Sequence, residues 1–176
     1  MFEKIRKMKN QKGFTLVELI VVLVILAILA AMLVPALTGY IDKANNQKIV
    51  AATRQVVMAA QTEVSEAYAS KTLTNGTVIT ITGGDAADID PDPADTATEV
   101  SGKNIVKLAE VGKFTSDGKF DGLTNGISKI VIKYDAKGHV TEVELTQGSK
   151  VCTYKEDSSA VSGTYTSGNY GVSAKS

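Results

Sequence analysis

The chain holds a single cysteine, Cys152, and a single histidine, His139, in 176 residues. A lone cysteine excludes an intramolecular disulfide, so an exported domain built from this sequence must rely on core packing. Cys152 falls in an alternating segment and reads as a buried, inert strand residue rather than a thiol that pairs between molecules. The sequence has no zinc-spaced set of His and Cys, no nucleophile elbow and no phosphate-binding glycine loop, and His139 reads as a polar residue beside a turn. Neither catalysis, nor a cofactor, nor a resident metal is expected. Aromatic residues are 6% of the chain and do not interleave with bases. No basic patch follows the first thirteen residues, so direct nucleic-acid binding is not expected either.

Charge is placed unevenly. Residues 1–13 hold Lys4, Arg6, Lys7, Lys9 and Lys12 against Glu3, a net +4; the remainder has fourteen bases and eighteen acids, a net −4. Directly after the basic stub comes an apolar run, Phe14 to Leu37, whose only charged residue is Glu18. As a helix, a run of that length spans roughly 36 Å, enough for a ~30 Å hydrocarbon core. A basic stub ahead of a span keeps that end in the cytoplasm and sends the rest outward. An acid within a span costs roughly 2.5–3.5 kcal/mol on the insertion scale, which makes Glu18 a candidate functional residue. The plainer alternative is a single-span anchor whose acid reaches back to the interface.

A secretory signal would place its cleavage site after an apolar stretch of roughly 7–15 residues. Here the apolar run is longer, and the small residue at the boundary, Gly13, precedes it. A cut after Gly13 removes the stub and leaves the span on the mature protein. The string Lys12-Gly13-Phe14-Thr15-Leu16-Val17-Glu18-Leu19-Ile20, with Pro35 late in the run, resembles the class III signal of type IV prepilins. The likeness in sequence extends to about residue 60 and beyond it is one of architecture.

That resemblance implies a definite set of events. A prepilin peptidase cuts between Gly13 and Phe14 and N-methylates the new amine of Phe14. An assembly ATPase and membrane platform then polymerise the chain with copies of itself into a surface filament. The implied course runs from a single-span precursor in the cytoplasmic membrane to an extracellular pilus for adhesion, twitching motility or biofilm. A pseudopilin of a type II secretion or competence DNA-uptake filament is the alternative. Many Gram-negative pilins staple their C-terminal region with a cysteine pair, so the single Cys152 points to the Gram-positive, clostridial-type pilins. The physics of Glu18 agrees. A carboxylate in hydrocarbon needs a proton or a cation, and leader removal creates an amine at Phe14, four residues away on one helix or supplied by a neighbouring subunit. Pairing of that kind sets register more than it adds stability.

Past Pro35, aliphatic residues recur at helical steps through Ile41, Ala44, Ile49, Ala52, Val56, Ala60, Val64 and Ala67, which predicts one helix from Phe14 to about Ser70. Pro35 and Gly39 mark an expected kink. Residues 77–82 read as a strand, 104–111 as a short helix before glycine-rich turns at Gly112, Gly118, Gly122 and Gly126, and 127–134, 139–146 and 150–155 as hairpin-linked strands. Residues 85–99 read as a solvated acidic loop. Their Asp88-x-Asp90-x-Asp92 spacing suggests calcium, but the expected glycine and closing acid are missing. Asn75-Gly76-Thr77 fits a glycosylation sequon, a short pattern of little weight. The Ser/Gly/Thr-rich tail from Ser158 reads as an edge strand with a loop or as partly disordered, and with a single cysteine it needs another means of attachment. The expected fold is α+β, the type IV pilin fold, with a long N-terminal helix on a small antiparallel sheet. Its divisions are a leader (1–13), the span or filament-core half of the helix (14–37), the amphipathic half (38–70) and a globular head (71–176).

Overall fold

The computed structural model describes residues 13–70, 77–82 and 100–175. The acidic segment 85–99 with its calcium-like spacing, Asn75 and Gly76 of the sequon, and residues 1–12 of the leader lie outside them. The first element is a single uninterrupted helix, α1, Leu16–Ser70. The chain divides into two compact units, one ending at Lys43 and the other beginning at Ala44. In the first unit every described side chain is exposed.

The second unit is a helix-on-sheet domain. Among the described residues, β1 (Thr77–Thr82), β4 (Ile127–Tyr134), β5 (Val140–Gln147), β6 (Lys150–Lys155), β7 (Tyr165–Ser167) and β8 (Tyr170–Ala174) form an antiparallel sheet in the order β1-β4-β5-β6-β8-β7. Between β1 and β4 lie helix α2 (Gly102–Leu108) and a two-stranded ribbon, β2 (Gly112–Phe114) with β3 (Phe120–Leu123).

Pairing register explains the core. Ile81, Ile130, Leu145, Cys152 and Val172 are successive cross-strand partners over five strands, and all five are buried. A parallel row runs through Ile79, Ile132, Val143, Tyr154 and Tyr170. Side chains two apart share a face, so both rows lie on one side of the sheet. There they join one cluster with Ile49, Val50, Val56, Ala59, Ala60, Val64 and Ala67 of α1. Each large aliphatic so buried contributes about 1.5–3 kcal/mol relative to exposure. Small alanines on the helix stripe let the backbone approach the bulkier β-branched residues of the sheet.

Two polar anchors fix the helix to the β4–β5 turn. The Gln61 side chain acts like a strand residue: its Oε1 accepts from Val140 N at 2.9 Å and its Nε2 donates to Gly138 O at 2.7 Å. Gly138 has φ +82, and a Cβ there would stand 2.9 Å from Cβ of Tyr68. Both the backbone sign and the close approach require glycine. Within the turn, the Asp135 carboxylate accepts from the backbone N–H groups of His139 and Lys137, each at 2.9 Å. These bonds, His139's foremost, hold its pKa below the ordinary carboxylate value.

The cysteine-poor C-terminus is held without a disulfide. Strand β8 inserts beside β6 and β7 pairs on its far side, so the tail is a hairpin within the sheet. Asn169 Nδ2 donates to the carbonyls of Lys155 and Glu156 at 2.8 and 2.7 Å. The Arg54 guanidinium of α1 sits 5.1 Å from the ring centroid of Tyr170, which packs on Tyr154. Gly171 is locked in place: a Cβ there would fall 2.2 Å from Ser162 O.

Four expectations need correction. The glycine-rich stretch around Gly112, Gly118 and Gly122 is not only turns but the β2–β3 ribbon, closed by an edge-to-face contact of Phe114 and Phe120. Strands of three and four residues are too short to show alternation. The short helix is Gly102–Leu108 rather than 104–111, because Ser101 caps it by accepting from Asn104 N. Strand β5 runs one residue later than expected, as His139 belongs to the Asp135 turn. Ile41 and Ala44, expected on the helix stripe, are exposed, whereas Val50, Thr53 and Ala59 are buried. Thr53 belongs there because its hydroxyl donates to Ile49 O at 2.8 Å within the helix. Cys152 is buried in the central row as expected, and burial pushes its thiol pKa up.

Candidate functional site

The candidate site is the start of α1. Gly13, Phe14 and Thr15 precede the helix in irregular backbone, and the helix begins at Leu16. The peptide bond between Gly13 and Phe14 therefore lies in exposed, non-helical chain, where a protease can bind an extended backbone. Gly13 has nothing within 4 Å of a notional Cβ, and Phe14 is 79% exposed.

Thr15 ends the irregular stretch. Its carbonyl accepts from Leu19 N and its Oγ1 accepts from Glu18 N, both at 3.2 Å. Thr15 is thus the N-cap, and Glu18 stands at the third helical position. Thr15-Leu16-Val17-Glu18 is the sequence of a capping box. A carboxylate in the first turn also meets the positive end of the helix dipole. Among the described residues the Glu18 carboxylate has no cation partner. Thr15 is the residue that sequence reasoning missed: attention to Glu18 as an acid in hydrocarbon obscured its spacing from a hydroxyl three residues earlier.

From Leu16 to Ile41 the helix exposes apolar side chains on all sides, including Leu19, Val22, Leu26 and Leu29. By length and composition this helix is able to cross a membrane. Pro35 lies inside it, and the helix continues through both Pro35 and Gly39. Pro35 has no N–H for the ladder, and its own carbonyl accepts from the Thr38 hydroxyl at 2.9 Å. Gly39 has open space around it. The structure brings Phe14, Thr15 and Glu18 into one helical entry; Pro35 and Gly39 lie several turns farther along α1.

The family described as the prokaryotic N-terminal methylation motif matches residues 8–34. Comparison with curated proteins finds no match, and comparison with solved structures finds none. The chain therefore carries a type IV prepilin-like class III signal, joined to a long helix that packs on an antiparallel sheet as in the type IV pilin fold. The motif supports a precursor that is type IV pilin-like or pseudopilin-like, and it implies processing by a prepilin peptidase.

Proposed function

We propose that this chain is the structural subunit of a type IV pilus. The observation that carries this reading is the register of Gly13, Phe14 and Glu18 at the entry of a helix whose first half is apolar on every side. Prepilin peptidase cuts between Gly13 and Phe14 and methylates the Phe14 amine. The span holds the subunit in the cytoplasmic membrane until an assembly platform and its ATPase transfer it to the filament. There the apolar half of α1 exchanges lipid for the same half of neighbouring copies. Glu18 of an incoming subunit neutralises the Phe14 amine of one already in place, and Pro35 with Gly39 supplies a point of bending for that packing. The completed pilus is extracellular and serves adhesion, twitching motility or biofilm. The single, buried Cys152 favours the Gram-positive, clostridial type of pilin.

Mass spectrometry of protein sheared from the cell surface tests the first step. The expected chain begins at methylated Phe14, and an intact Met1 terminus sinks the cleavage claim. Glu18→Ala tests the second: processing persists while assembly drops, and normal assembly of that variant overturns the pairing. Imaging cells that lack the chain separates the two filament classes. Loss of surface pili supports a pilus subunit; intact pili with lost secretion or DNA uptake identify a pseudopilin.

A further inference from the structure

Helix α1 starts at Leu16, and Gly13, Phe14 and Thr15 stand before it in irregular backbone. We propose that Thr15 is a positioning residue for leader removal: its cap ends the helix short of the Gly13–Phe14 bond and keeps that bond in the non-helical form a peptidase can bind. This role rests on the cut between Gly13 and Phe14 proposed above.

The apolar residues do not themselves require a boundary at Leu16. Phe14 is an ordinary helix former, and the first proline of the chain is Pro35. Backbone groups next to lipid gain from helical pairing, which favours growth of α1 toward the leader. Thr15 opposes that growth. Its Oγ1 accepts from Glu18 N and its carbonyl from Leu19 N, both at 3.2 Å. A residue whose side chain takes the N–H of the third helical residue sits on non-helical backbone, so the cap also turns the chain before it out of the helix. Glu18 supports the boundary from within, at the carboxylate position of a capping box. Upstream of Thr15 the next residues of types that cap helices are Gly13 and Asn10. A helix begun at either would tie the Gly13 carbonyl to Val17 N.

That carbonyl is the group the cut must reach. Hydrolysis adds water at the Gly13 carbonyl carbon and breaks its bond to Phe14 N, leaving a carboxylate on Gly13 and an amine on Phe14. A carbonyl engaged in a helical turn is screened by the turn around it, whereas one outside the helix is open to attack. Gly13 and Phe14 are in the open form: nothing lies within 4 Å of a notional Cβ at Gly13, and Phe14 is 79% exposed. Thr15 takes no part in the bond changes and acts through the conformation of the two residues before it.

Such a role has a kinetic signature. A peptidase that binds the non-helical form sees only the competent fraction of its substrate, and apparent affinity falls with that fraction. Loss of the cap lowers the fraction and raises KM. The rate at saturation is unchanged, because every bound chain is already non-helical.

The test uses the full-length precursor in a neutral maltoside detergent with a purified prepilin peptidase, and follows leader release by mass spectrometry over a range of precursor concentrations. Thr15→Val keeps the branched shape and removes the hydroxyl; KM is expected to rise about fivefold, the factor that one lost cap is worth, with kcat unchanged. Thr15→Ser and Thr15→Asn, which cap, return KM to the wild-type value. In ¹³C-labelled precursor the Cα shifts of Gly13 and Phe14 move toward helical values in Thr15→Val and stay in place in Thr15→Ser. An unchanged KM in Thr15→Val, a loss confined to kcat, unmoved Cα shifts, or a Thr15→Asn variant as poor as Thr15→Val overturns the positioning role; the last marks recognition of the threonine side chain by the peptidase. A wild-type precursor that is not cut after Gly13 takes down the cleavage reading and this role together. A wild-type precursor cut there, with Thr15→Val cut equally well, keeps the cleavage reading and removes Thr15 from it.

Discussion

The two halves of α1 share one uninterrupted backbone, yet they meet different surroundings. Up to Ile41 the helix exposes leucine, isoleucine and valine on every face. From Ile49 onward it buries a narrow stripe of small and β-branched residues beneath the sheet. The comparison teaches that helix propensity decides neither half. The second half is fixed by the cluster it completes, whereas in the first unit every described side chain is exposed and the surface up to Ile41 is apolar. A carboxylate at Glu18 is tolerable at the start of the first half because it stands in a capping-box position at the positive end of the helix dipole.

Paired substitutions sharpen the contrast. The largest difference is expected between Ile130→Ala and Ile25→Ala. Ile130 is fully buried in the central row, so its truncation lowers the stability of the folded domain by about 2–5 kcal/mol. Ile25 is exposed, and its truncation leaves urea unfolding of that domain unchanged in detergent. Equal losses for the two variants would break the distinction between the halves.

Glycines supply the next contrast. Gly171→Ala drives a Cβ against the Ser162 carbonyl and costs about 1–3 kcal/mol, read from the same unfolding curves. Gly39→Ala, in open space on the first half, leaves those curves in place and raises helix content by circular dichroism. An unperturbed Gly171→Ala protein would show that the C-terminal hairpin is not pinned there.

Gln61→Ala is expected to cost about 1–3 kcal/mol, because Val140 N and Gly138 O both lose their side-chain partner. Faster hydrogen exchange at Val140, with no change in the first half of α1, is the accompanying signature.

The smallest effect is on acid stability. Asp135 is held below its ordinary pKa in the fold, so its contribution is present above the unfolded value and is lost as pH falls through the folded one. Asp135→Asn removes that dependence: variant and wild type differ at neutral pH and converge in acid. A gap that persists undiminished to the lowest pH assigns the role of Asp135 to geometry rather than charge.

Much of this molecule is legible in the residues. The apolar run, the helix through Ser70 and strands β1, β4, β5 and β6 follow from periods of 3.6 and 2 in stretches long enough to display them. The cap at Thr15 was equally legible from its spacing to Glu18. The β2–β3 ribbon was not, since Phe114 and Phe120 reveal themselves as partners only once the turn at Asp117 brings them together. Nor was the role of Gln61, an ordinary polar helix residue until the β4–β5 turn is docked beside it.

The sequence by itself determined the signal, the span and the order of helix and strands, because hydrophobic period, capping and turn chemistry act between residues close along the chain. Tertiary structure alone decided that the tail becomes a hairpin beside β6 and that Gln61 of α1 bonds the β4–β5 turn. Those outcomes depend on which distant surfaces meet, and no local pattern encodes that meeting.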